Sequence, residues 1–123
     1  MDIIQEGGIA IENFEEFPLV VLINEFTASA AEVVSGALQD NDRAQLMGVT
    51  TFGKGSAHIF HEMTNGGAMY LPVSEWFTPS GQAIQGKGIQ PDIEALLSRE
   101  DITEGIDSQL EKAYEYLNSI LPP

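Results

Sequence analysis

Residues 18–24, "PLVVLIN", form an unbroken run of branched apolar side chains behind a proline. Such a run without polar alternation predicts a β-strand buried on both faces. From Ser29 the pattern changes to helical spacing. It predicts a helix over 29–41 with Val33, Ala37 and Leu38 toward the core, while Ala30, Ser35 and Gly36 allow close packing. "AQLMGV" (44–49) predicts a second short strand.

Beyond it, "TTFGKGS" is a glycine-punctuated loop. "SAHIFHEM" and "GAMYLPVSEWF" predict two strands joined at Asn65-Gly66-Gly67, where an Asn-Gly pair supplies the positive φ of a hairpin turn. Residues 78–92 hold two prolines and three glycines, so they predict a loop ordered by packing. A last amphipathic helix is expected over 107–119, with Leu110, Ala113, Tyr114 and Leu117 on one face. Near the start, "GGIAIENF" is a candidate edge strand. Strand, helix, strand and hairpin in that order indicate an α/β fold with a mixed sheet.

Composition narrows the function classes. A chain of 123 residues makes one domain, and 43% hydrophobic with 20% charged residues is ordinary globular content. The formal net charge of −14 argues against nucleic acid as a partner, because phosphate neutralisation needs a basic surface. It equally disfavours docking on anionic lipid. No run approaches the roughly 20 apolar residues of a membrane span, and the absence of cysteine excludes thiol chemistry. His58 and His61 are three apart beside Glu62, but strand alternation would put them on opposite faces, so no metal and no cofactor is expected. Met1-Asp2 reads as an added start inside a longer protein.

Chemistry concentrates at Ser29 and Lys54. Ser29 with Glu32 forms an S-x-x-E capping box, worth about 1 kcal/mol to a helix. The same position also suits a nucleophile: a turn projects the hydroxyl, and helix-start N–H groups can stabilise an oxyanion. The serine then needs a base. No Ser-His-Asp set is evident, and Lys54 between Gly53 and Gly55 is the candidate. Bringing a lysine amine to neutrality takes about 4 kcal/mol of desolvation, which requires burial. On the residues alone, a helix cap with a solvated loop lysine remains the competing reading.

Two long stretches, "VVLINEFTASAAEVVSGALQDNDRAQLMGVTTFGKGSAHIF" and "GAMYLPVSEWFTPSGQAIQGKGIQPDI", resemble the C-terminal processing peptidases, or tail-specific proteases, over about residues 18–94. The resemblance implies part of a serine–lysine endopeptidase with a crotonase-like (ClpP/crotonase-type) α/β core. Ser29 would be the nucleophile, Lys54 the general base, and the Ala30 N–H an oxyanion donor. The position four beyond the lysine, commonly glutamine in the family, is His58 here, a residue that can charge near pH 6.5. Asp40 matches an aspartate implicated in part of the family. About 16 Å of helix separates it from Ser29, so its expected place is at the helix end, bonding the Arg43 loop or the Lys54 segment. Lys87 and the other polar groups of 78–92 are expected to be structural, and Trp76 and Phe77 to pack in the core.

The family's upstream Arg-x-Asn-Pro-Gly-Gly stretch and its PDZ domain are not among these residues, so the expectation is a partial peptidase core over 1–123. Protein or peptide substrates, taken by β-strand addition to a sheet edge, are implied. So is an exported parent in the bacterial periplasm or cell envelope, or elsewhere outside the cytosol; homo-oligomerisation stays open. The fold also serves retinoid-binding repeats in photoreceptors, so a non-catalytic binding or scaffold module is the alternative.

Overall fold

The computed structural model describes residues 17–121, and the expected edge strand over 7–14 lies outside them. The elements are β1 (Val20–Ile23), α1 (Ala30–Asp40), β2 (Gln45–Gly48), β3 (Ser56–Glu62), β4 (Ala68–Glu75), β5 (Ile93–Glu94), α2 (Arg99–Glu104) and α3 (Ser108–Ile120). Parallel and antiparallel pairing are both present, divided between two sheets. β1, β2 and β5 form a parallel sheet in the order β1-β2-β5, and β3 and β4 form a separate antiparallel hairpin. Val20 lies opposite Gln45, Ile23 opposite Gly48 and Met47 opposite Ile93. The parallel β1–β2 pair needs a crossover, and α1 supplies it.

The core lies on both faces of this sheet. On one face Ile23, Leu46, Ile84 and Ile89 cluster, with Val21 and Trp76 against them. On the other, Met47, Ala95 and Ala113 cluster, with Val20, Ile93 and Tyr116. The alternation of Val20 and Val21 between the two clusters follows from the period of two in a strand.

Burial differs from the sequence reading at four places. β1 is an edge strand among the described residues, so Leu22 is exposed and only Ile23 is fully buried. α1 buries Glu32, Ser35 and Gly36 and leaves Val33 and Val34 exposed. Its inner face is small because it packs closely: a Cβ on Gly36 would lie 2.8 Å from Thr78 Cγ2 and 3.1 Å from Ile89 Cδ1. α3 turns Ala113 and Tyr116 inward, with Leu110 and Tyr114 exposed, because β1 and β2 meet it along a neighbouring stripe. Trp76 packs in the core as expected, whereas Phe77 is exposed.

The hairpin turn forms where expected. Gly66 has φ 84°, and the Asn65 side chain accepts from the Gly67 N–H at 3.0 Å. The loop 78–92 is held by its own polar contacts. At its end Asp92 accepts from the Leu46 N–H (2.7 Å) and from the Gln39 side chain (2.7 Å), joining β2 to α1. β5 and α2 were not expected. β5 has only two residues, too few for a periodic signal. α2 carries a legible signature, Ser98 accepting from the Asp101 N–H with Gly105 ending the helix in the left-handed conformation.

Candidate active site

β1 ends in a tight turn. The Asn24 carboxamide accepts from the Phe26 N–H (3.0 Å), and the Asn24 N–H donates to the Thr27 hydroxyl (3.0 Å). The chain then reaches Ser29 at φ 60°, ψ −123°. Outside glycine this region is costly, on the order of 1–3 kcal/mol, and persists only when surrounding contacts impose it. Ser29 is half-buried at the start of α1. The capping contact here comes from Glu32, whose carboxylate accepts from the Ser29 N–H at 2.9 Å; the Ser29 hydroxyl accepts no capping hydrogen bond. The hydroxyl is thus left for other work.

Glu32 is completely buried. Besides Ser29, its carboxylate accepts from the Thr51 hydroxyl (2.6 Å), the Gly53 N–H (2.6 Å) and the Lys54 N–H (2.8 Å). Four donors on one carboxylate satisfy an otherwise expensive buried charge. They also bind the Lys54 loop to the start of α1. Sequence reading gave Glu32 a capping role only. The capping box was the sole local signal, because the other three donors come from a segment far along the chain.

The Lys54 loop is fixed from two further sides. The Phe52 N–H donates to the Thr27 carbonyl (2.9 Å), and the Thr51 hydroxyl also accepts from the Ile89 N–H (2.7 Å). Gly53 O accepts from the Gly86 N–H (2.9 Å), and the Gly55 N–H donates to the Gln85 side chain (3.0 Å). Gly55 has no room for a side chain, since a Cβ there would collide with Gln85 N and Ile84. The backbone of Lys54 is held rigidly beside Ser29 while its side chain is exposed. The burial that a neutral lysine requires is therefore not supplied by the described residues.

The two supporting candidates sit elsewhere. Asp40, at the far end of α1, accepts from the Ser80 N–H at 2.7 Å. Hydrogen bonds from the Thr78 hydroxyl and the Ser80 N–H hold its carboxyl below the ordinary value of 3.8. The reason is topological, since the 78–81 turn lies against the end of α1. His58 is in β3, its ring stacked on Tyr70 with centroids 4.6 Å apart, and its Nδ1 is buried without a partner among the described residues. Ala30 is the first residue of α1, where helix N–H groups have no intrahelical acceptor.

These features define a class: an α/β chain presenting a strained serine at the carboxyl edge of a parallel sheet, with a lysine loop fastened to the same helix start. Residues 5–95 match the model of peptidase family S41. The chain is 49% identical over 79 residues to a carboxy-terminal-processing protease of Bartonella bacilliformis, covering 64% of this chain and 18% of that protein. It is 42% identical over 105 residues to the chloroplastic carboxyl-terminal-processing peptidase 3 of Arabidopsis thaliana, covering 85% of this chain and 19% of that protein. The solved photosystem II D1 C-terminal processing protease superposes with a TM-score of 0.60 at 41% identity, over 63% of this chain and 20% of that one. This chain belongs to peptidase family S41. It spans about a fifth of the length of these relatives.

Proposed function

We propose that this chain carries the nucleophile and the base of a serine endopeptidase that cleaves protein substrates near their C-termini. The Ser29 Oγ attacks the scissile carbonyl as its proton passes to a neutral Lys54 Nζ, and the Ala30 N–H stabilises the oxyanion. The C–N bond breaks, the leaving amine takes the proton from Lys54, and water then hydrolyses the acyl-enzyme. The observation that carries this reading is the Glu32 carboxylate, which fastens Ser29 and the Lys54 backbone to one point. The relatives' names, carboxy-terminal-processing protease and peptidase, support the C-terminal part of this reading.

Within this reading His58 supports Lys54, because its unpartnered Nδ1 is an acceptor a lysine amine can fill. Asp40 acts on structure, through the 78–81 turn. A crotonase-like core and an exported parent accompany the proposal. Bacterial and chloroplastic relatives support export, and no helix among the described residues is long and apolar enough to cross a membrane.

A non-catalytic binding module on the same fold is favoured by one observation, the exposure of Lys54. An active-site-directed fluorophosphonate separates the two. Applied to the chain, and to any longer polypeptide containing it, the reagent is expected to label the native protein and neither Ser29→Ala nor Lys54→Ala. Labelling that survives both substitutions would refute the dyad.

A further inference from the structure

A groove of about 640 Å³ opens where β1, β2 and β5 end at their carboxyl termini, the edge at which open parallel sheets take ligands. Its apolar lining is Phe26, Val49, Leu96, Leu97 and Ile102. Phe26 is 80% exposed, Leu96 69% and Ile102 63%, a concentration of large apolar surface that soluble domains seldom leave bare. Phe26 is held there by the Asn24–Thr27 turn, three residues before Ser29.

The charge around the groove selects its occupant. Among the described residues, Glu25 and Glu94 line it and no lysine or arginine does. Lys112 donates to the Glu94 carbonyl oxygen (2.6 Å). With a chain charge of −14 behind them, these carboxylates repel an anionic ligand and attract a cationic one. A free C-terminal carboxylate is therefore disfavoured here.

We propose that this groove binds an internal segment of a polypeptide, one large apolar side chain seated among Phe26, Leu96 and Ile102 and flanked by basic residues facing Glu25 and Glu94. That the ligand is a polypeptide rests on the peptidase reading; the shape and charge of the groove do not.

The test is fluorescence anisotropy on the Ser29→Ala chain, with fluorescein-labelled Lys-Leu-Phe-Leu-Lys-amide as probe. Peptides with the lysines replaced by glutamates, or the apolar residues by serines, serve as comparisons. Saturable binding of the basic apolar probe is expected, weakened about five- to tenfold by the lysine-to-glutamate exchange. Leu96→Ser and Ile102→Ser, both at exposed positions and so compatible with folding, should each weaken binding about tenfold. Combining Glu25→Gln with Glu94→Gln should weaken binding of the basic probe and bring the two charged peptides within about twofold of each other. Equal binding of the acidic peptide, indifference to Leu96→Ser and Ile102→Ser, or no saturable binding would each overturn the proposal. Anisotropy needs no acylation. Binding without fluorophosphonate labelling would sink only the peptidase reading, and labelling without binding would sink only the groove.

Discussion

Glu32 and Lys54 are joined by a hydrogen bond from the Lys54 N–H to the buried Glu32 carboxylate, at 2.8 Å. The same oxygen, Oε2, accepts from the Ser29 N–H at 2.9 Å. One carboxylate oxygen thus fixes the backbone spacing between the two residues proposed to do the chemistry. Removing it should disconnect them even though neither is altered.

Glu32→Ala leaves the Thr51 hydroxyl and the Ser29, Gly53 and Lys54 N–H groups without their shared acceptor. It should destabilise the fold by about 3 kcal/mol or more. Glu32→Gln retains one acceptor oxygen and should cost less, while still lowering the rate of fluorophosphonate labelling. Urea unfolding and labelling kinetics on the same samples check both. Unchanged labelling in a folded Glu32→Gln protein would show that the node is structural only.

Ser29 holds a backbone conformation that glycine adopts freely. Ser29→Gly should therefore be as stable as the native chain or more stable by about 1 kcal/mol, and should not label at all. Ser29→Ala removes the hydroxyl but keeps the strain, so the two variants should differ in unfolding midpoint. Equal midpoints would mean that the strain is relieved elsewhere.

Asp40 predicts a pH dependence. Its carboxyl titrates below the ordinary value of 3.8 in the folded chain, because the Thr78 hydroxyl and the Ser80 N–H favour the charged form. The stabilisation is present above the unfolded-state value and is lost as pH falls through the lower folded-state value. Asp40→Asn should therefore be less stable than the native chain at pH 7, with the difference closing below about pH 3.8. Thermal melts of both proteins between pH 7 and pH 2.5 would show it. A difference independent of pH would assign the effect to geometry instead of charge.

Gly55→Ala should destabilise the chain by about 1–3 kcal/mol, since the new methyl group meets Gln85 N and Ile84. Because the strain falls beside Lys54, labelling should slow as well. Gly66→Ala, where nothing lies within 4 Å, separates close approach from backbone preference: its cost should come from positive φ alone.

The sequence by itself determined the elements whose signals are local. The apolar run at 18–24, the helical spacing after Ser29 and the Asn65-Gly66 turn gave β1, α1 and the hairpin, because buried runs, periodicity and turn chemistry act over a few residues. The motifs around Ser29 and Lys54 carried the family resemblance that the comparisons bear out. Tertiary structure alone decided which faces are buried. α1 turns Glu32, Ser35 and Gly36 inward against its apolar periodicity, since those small or satisfied groups fit the close approach of Thr78, Ile89 and the Lys54 loop. It also decided that Glu32 is more than a cap. A carboxylate's worth depends on donors brought to it by folding, and three of its four come from residues 51–54. Spacing along the chain holds no record of that meeting.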